Sequence, residues 1–497
     1  MTYLEDQQMT HRPKPVLTRR RALQLGGLGA GALATGFLAG CGASEPAPLP
    51  VAKPGTDPWR RFAGTTINFI SENTAPTAAI AANLKPFTDL TGVRVNIVNL
   101  ELQALVQRVA LDMAGGQAQY DVVYADPYQV LAPYSKGLTD LRELDGRSGL
   151  PPLEKGLGDF IPTQLRAAGT FGDDGKIFAL PYDAPTMIWQ YRADIFDRYF
   201  DRMSADLGFD PTPGADRTWE EYRKIAAWIN DHVDEVPYGT GHQAKQHDSL
   251  QCDFSNVLWA YGGDYFENGT EVGLSGSVHP GKCLLREDAA IEAATFYDGL
   301  VRIAHPGSRG WDWDGVAAAL RAGQIAMTPN WHENAASNEQ ALPGKIDYAP
   351  LPRGPHRSAN IYGGTGIAIS GSSGGARLGA AWLFVNWATS PDTQLANLKS
   401  SVGGGTPTRS SVYELPEVKQ AEQRPSKLPN MLTADAVTTA WKSDYIGLRP
   451  KIPMWNECDT ALFTELSRML AGQQSPKEAM TNAADRIDDI VARGWFA

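Results

Sequence analysis

Residues 120–127 read YDVVYADP, and the fold turns on them. Val122, Val123 and Tyr124 are a short apolar run, stopped by Ala125-Asp126-Pro127. A run of that length, β-branched and aromatic and closed by a turn signal, reads as a buried strand. Upstream, residues 66–70 (TINFI) read as a strand, and residues 78–91 as a helix with Phe87 and Leu90 on its apolar stripe. Residues 93–98 (VRVNIV) alternate with period two, the pattern of a half-buried strand, and residues 102–114 are helical again. Strand, helix, strand, helix, strand implies an α/β fold with a parallel sheet covered by helices. Ligands in such sheets sit beyond the carboxyl ends of the strands. Those ends are Ser71-Glu72-Asn73-Thr74 and Asp126-Pro127-Tyr128.

Downstream, a second region begins near residues 180–186 (LPYDAPT), just before a strand at 187–191. Helices are expected around 219–230, 256–261, 288–303 and 318–322. A short strand at 325–327 leads to Trp331-His332-Glu333, and a glycine-led strand covers 362–369. Residues 376–388, 459–470 and 477–493 read as helices, and no internal repeat is visible.

The N-terminus reads as a targeting segment. Residues 18–24 (TRRRALQ) precede a run from 25 to 40 that is apolar or small throughout. That run is shorter than the roughly 20 residues of a stable span. It has the charged and apolar regions of an export signal, and its arginine pair resembles a twin-arginine signal. Residues 38–42 (LAGCG) resemble a bacterial lipobox, which implies cleavage after residue 40 and a diacylglycerol on Cys41. The alternative is an ordinary signal peptide with an incidental cysteine. Residues 41–63 then form a tether, whose Ala, Pro, Gly and Ser cannot bury a core.

The formal charge is −11, and the first 40 residues hold more Lys and Arg than Asp and Glu, so the remainder is more acidic still. This argues against nucleic acid as a partner, because phosphate contacts need basic patches. No later stretch is long and apolar enough to cross a membrane. Besides Cys41 there are Cys252, Cys283 and Cys458, an odd number that allows one internal pair at most. Sequence proximity favours a Cys252–Cys283 disulfide. No CxxC spacing exists, so neither a metal nor any other cofactor is expected.

Seven fragments, in order, resemble the extracellular solute-binding proteins of bacterial ABC sugar importers, the group that includes maltose-binding protein. They are 121–126 with 134–141 (YSKGLTDL), 176–182 (KIFALPY), 218–221 (TWEE), 259–263 (WAYGG), 318–331 (AALRAGQIAMTPNW), 363–369 (GGTGIAI) and 405–409 (GTPTR). The similarity runs from about 64 to 493; loops at 199–217 and 267–282 depart from it. It implies a two-lobed periplasmic-binding-protein-like fold of type II, with a ligand cleft between lobes joined by a multi-strand hinge. The implied lobes are 64–182 plus 366–410 and 183–365 plus 411–497. It also implies a monomeric, lipid-anchored receptor that binds a carbohydrate and delivers it to ABC transporter permease subunits, and no enzyme. A receptor feeding a membrane sensor would share this fold. A glycerophosphodiester is an alternative ligand, since choline suits an aromatic cage. A carbohydrate-active enzyme is the alternative class; it needs two cleft carboxylates, for which Asp126 and Asp183 are the candidates.

Sugar recognition uses aromatic rings against C–H faces, with carboxylates, amides and guanidinium groups on hydroxyls. The resemblance puts the stacking aromatic at Trp331, with core packing as its alternative. His332 and Glu333 are adjacent rather than at metal-binding helical spacing, so they read as polar bystanders at a helix start, in contact with solvent. Asn334 is a cap or a contact. Asp126, Glu72 and Asn73 sit at strand ends, where capping or turn polarity is the other reading. Asp183 lies at the first crossover between lobes. Gly364 and Thr365 lie in the glycine-led strand, as hinge residues or backbone contacts. Arg409 pairs a cleft carboxylate or binds hydroxyls, unless it is a surface ion pair. Asp253 is a further candidate, placed just before the helix that carries Trp259.

Overall fold

The computed structural model describes residues 46–116, 118–420, 428–442 and 444–495. The export signal and Cys41 lie outside the described residues. Among the described residues eleven strands follow in chain order: β1 (Thr66–Glu72), β2 (Arg94–Leu100), β3 (Val122–Ala125), β4 (Ala179–Asp183), β5 (Met187–Arg192), β6 (Tyr238–Thr240), β7 (Ile325–Trp331), β8 (Ile346–Ala349), β9 (Asn360–Ile361), β10 (Thr365–Ile369) and β11 (Ile446–Gly447).

The first sheet has the order β2-β1-β3-β10-β4. Its β1, β2 and β3 run parallel, as the alternating pattern implies, while β10 returns antiparallel between β3 and β4. Its core includes Phe69, Val122, Val123, Leu180 and Ile367, closed by Trp382 and Phe384 of the helix Gly375–Ala388. The second sheet has the order β6-β7-β5-β8. It shares a separate core with the helices Asp248–Ala260, Asp288–Ile303, Trp455–Leu470 and Pro476–Gly494.

The chain passes between the sheets at 184–186 and again at 362–364. These passages are tied together: Gly363 N donates to Pro185 O at 2.8 Å and Thr186 Oγ1 donates to Ile361 O at 2.8 Å. Glu45–Ala497 hold together as one unit. Among the described residues no helix is long and apolar enough to cross a membrane.

Four local expectations need correction. The helix at 78–91 is two helices, Ala75–Ala82 and Leu84–Thr91, which meet at Asn83. The helix expected at 256–261 begins eight residues earlier, at Asp248. Its first two turns are buried and polar, so they carry no amphipathic stripe to read. Strand β7 runs four residues past Met327, through Pro329, to Trp331. Proline is tolerated because β6 pairs with β7 only as far as Met327, leaving no ladder partner on that side. The expected Cys252–Cys283 bridge does not form; Cys252, Cys283 and Cys458 are buried free thiols. The Sγ of Cys252 donates to Asp248 Oδ2 at 3.5 Å, whereas Cys283 sits against the last helix, its N–H donating to Asp488.

Candidate functional site

The carboxyl ends of β1 and β3 open onto a cavity of about 120 Å³. Glu72, Asn73 and Asp126 line it from the first sheet, and Trp331 and Asn334 line it from the end of β7. The sequence thus brought five of its ten candidates to one cavity. Tyr124, Asp248, Trp313, Asp314, Glu333 and Arg449 line the same space, and none had been singled out as a contact.

Asp126 is held by local chemistry. It caps the turn 127–131: its Oδ1 accepts from Tyr128 N at 2.9 Å and Gln129 N at 2.8 Å. Pro127 presets the first turn position. Asp248 occupies the first turn of its own helix, where a negative charge is favoured. Gln129 Nε2 donates to Asp248 Oδ1 at 2.9 Å and ties the two acids together. Arg449 lies between them. Its Nη2 is 3.6 Å from Asp126 Oδ2 and its Nη1 is 3.7 Å from Asp248 Oδ1. The guanidinium also stacks over the Tyr128 ring at 4.3 Å. Behind this trio, the buried Asp459 carboxyl packs beside Asp248. Burial pushes the Asp126 and Asp459 carboxyls up, and Arg449 opposes that shift in both.

Glu72 is a second kind of acid. Burial raises its carboxyl to about 8, with neighbouring carboxylates adding to the shift and a hydrogen bond from Tyr124 opposing it. Thr365 Oγ1 donates to the Tyr124 hydroxyl at 3.4 Å, so Thr365 supports the site from behind and does not line it. A neutral carboxyl both donates and accepts, which suits a hydroxylated ligand. The native state therefore holds a proton on Glu72 that the unfolded chain releases near pH 4.5. Its contribution to stability is complete below that pH and is lost as pH rises through about 8. The unliganded protein is expected to lose thermal stability between pH 5 and 8.5, and Glu72→Gln to flatten that decline. An equally steep decline in Glu72→Gln, followed by differential scanning fluorimetry, would assign the slope to other groups.

Two tryptophans form the apolar walls. Trp331 is half-buried, and a Cβ at Gly363 would meet its ring at 2.5 Å, so the indole lies directly on the inter-sheet passage. Its backbone carbonyl is held by Gln190 Nε2 at 2.8 Å and Asn334 Nδ2 at 3.2 Å. Trp313 faces the cavity from the start of the helix Trp313–Arg321, edge-on to His247 at 4.9 Å.

His332 and Glu333 are not bystanders in solvent. His332 is buried, with Nδ1 against Thr186 and Nε2 at 2.5 Å from Thr406 Oγ1. Burial lowers its imidazole to about 4, so it is neutral. The Glu333 carboxyl meets that of Asp183, and burial together with that neighbour pushes Glu333 well above the carboxylate range. Burial raises Asp183 to about 6, while its Oδ1 accepts from Thr406 N at 2.6 Å. Asp183 therefore sits behind the cavity wall, where its contact to Glu333 is a hydrogen bond only when one of the pair carries a proton.

Three further candidates are placed away from the cavity. Arg409 is fully buried, donating to the carbonyls of Thr389, Glu154 and Gly156 at 2.8–3.0 Å and stacking on Phe160 at 3.7 Å. Asp253 lies inside its helix and accepts from Gln243 N and Tyr297 Oη, with His242 Nδ1 at 2.9 Å. Gly364 has no room for a side chain, because the Tyr362 ring lies against it. The glycine there answers a close packing contact rather than a left-handed backbone.

A cleft at parallel strand ends, between two sheets crossed by paired segments, defines a two-lobed binding protein. The chain belongs to the bacterial extracellular solute-binding proteins, whose family model matches residues 82–426. That family is one of binding proteins, not of enzymes. Among relatives, a probable amino-acid ABC transporter periplasmic-binding protein of Sinorhizobium fredii is 24% identical, covering 88% of this chain and 92% of its own. The erythritol/L-threitol-binding protein of Mycolicibacterium smegmatis is 23% identical over 80% and 82% of the two chains. The mannitol-binding protein of Pseudomonas aeruginosa is 25% identical over 80% and 86%. The maltose-bound MalE3 of T. maritima shares the fold with a TM-score of 0.69 at 22% identity, covering 86% of this chain and 100% of its own. A solute-binding protein of Agrobacterium vitis with bound D-mannitol has the same TM-score at 23% identity, over 86% and 99% of the chains.

Proposed function

We propose that this protein captures a neutral polyhydroxy solute, a sugar or polyol, outside the cytoplasm and delivers it to the permease subunits of an ABC importer. The observation that carries the reading is the cavity lining itself. Two indoles flank it, Asn73 and Asn334 offer amides, and five carboxyl groups face one cation, Arg449. Indole faces suit C–H surfaces, and acids and amides suit ligand hydroxyls. Relatives named for erythritol, L-threitol and mannitol support the polyol class. The same lining speaks against the phosphodiester alternative and against an amino acid, despite the relative described for one. An anionic group needs a cation to meet it, and Arg449 is already flanked by Asp126 and Asp248. Glu72, Asn73, Asp126, Trp331 and Asn334 are the contacts we assign to the ligand, with Asp183, Gly364 and Thr365 supporting them. Closure of the lobes follows from ligand contacts to both. A lipid on Cys41, after twin-arginine export, holds the receptor at the membrane.

Isothermal titration with D-mannitol, ribitol, erythritol and maltose, beside glycerophosphocholine and a set of amino acids, tests this reading. Binding confined to the polyols and sugars is expected. Binding confined to glycerophosphocholine or to amino acids would overturn it.

A further inference from the structure

A second cavity, of about 50 Å³, lies on the other side of Glu333. Its walls come from the turn 404–407, from His332-Glu333, and from the segment between Asn430 and Trp441. Glu333 lines both cavities. Three atoms of its lining residues are buried without a partner: Glu333 Oε1, Asn430 Oδ1, an acceptor, and Trp441 Nε1, a donor. The Asn430 orientation is imposed, since its Nδ2 donates to Leu398 O at 3.0 Å, with Gly403 O and Ser400 O at 3.4 and 3.5 Å. Gly404 makes room for that amide, as a Cβ there would collide with it. Buried polar groups are almost always satisfied by protein, water or ligand. An orphaned donor and orphaned acceptors on the lining residues of one cavity therefore describe a molecule that offers both.

The remaining wall selects the class. No lysine or arginine lines this cavity among the described residues. His332 has both ring nitrogens engaged, and Glu333 shares its contact with Asp183. Met431, Val437 and the indole of Trp441 supply an apolar face. A charged ligand would lack a counter-charge here.

We propose that this rear cavity is a second binding site for an uncharged hydroxylated molecule, a polyol or a sugar ring, seated on Trp441 and Asn430. It rests on the polyol reading of the front cavity. The occupant is either a separate molecule or the far end of one ligand that passes Glu333.

Titration calorimetry and crystal structures with D-mannitol and with maltitol, a glucosylated hexitol, test the site in three proteins. They are the unmodified chain, Trp441→Phe, which removes the donor, and Thr438→Trp, which narrows the mouth at an exposed position. A single spanning ligand predicts that both variants weaken maltitol at least tenfold and leave mannitol unchanged. A separate occupant predicts two mannitol molecules per chain, falling to one in both variants. Unchanged affinity and stoichiometry for both probes, with only water in the rear cavity, would refute the site. If neither probe binds the unmodified chain, the polyol reading of the front cavity fails, and the ligand class assigned here falls with it.

Discussion

Arg449→Met is expected to lower the unfolding free energy by about 3–5 kcal/mol at pH 7.5, the range for breaking one side of a buried ion pair. Arg449 is the counter-charge for Asp126 and Asp248, and it also lowers the proton affinity of Asp459. Methionine fills much of the volume and keeps contact with the Tyr128 ring, so the loss reports charge rather than a void. Removing the cation raises the Asp126 and Asp459 carboxyls further, so they bind protons that the native protein leaves off. The deficit should accordingly shrink at pH 5. Urea denaturation at both pH values measures it; a loss below 1 kcal/mol at both would show that the acids are compensated by other groups.

Trp331→Ala is expected to weaken polyol or sugar binding by at least about a hundredfold, roughly 2.7 kcal/mol. The stability cost should be smaller, about 1–2 kcal/mol, because the indole is half-exposed and packs on the core from one side only. Its neighbour Gly363 sits in the passage between sheets, so the loss of the ring also removes a contact at the hinge. Titration and thermal denaturation of the same preparation separate the two effects. Retained affinity with a large fall in Tm would make Trp331 a core residue.

Four of the five strands of the first sheet, all but β4, were legible because burial writes itself locally. Period-two alternation in β2 and the apolar run of β3 need no distant partner to be read. Parallel order then placed Glu72 and Asp126 at carboxyl ends, and the structure brings both to one cavity. Arg409 shows the opposite case. It follows a proline-containing turn that matches the family pattern, yet its guanidinium is absorbed by three backbone carbonyls. Glu333 was misread for the same reason: an acid beside a histidine looks solvated until its neighbour Asp183, 150 residues away, is placed against it. Cys252 and Cys283 are near in sequence, but one faces the cavity and the other the last helix.

By itself, then, the sequence determined β1, β2, β3, β5, β7 and β10, several of the longer helices, and which acids end strands, because periodicity and turn chemistry act over a few residues. Only the tertiary structure decided which charges are paired and which carboxyl groups hold protons. Those depend on Arg449 meeting Asp126 across more than 300 residues of chain, and on desolvation that no local pattern records.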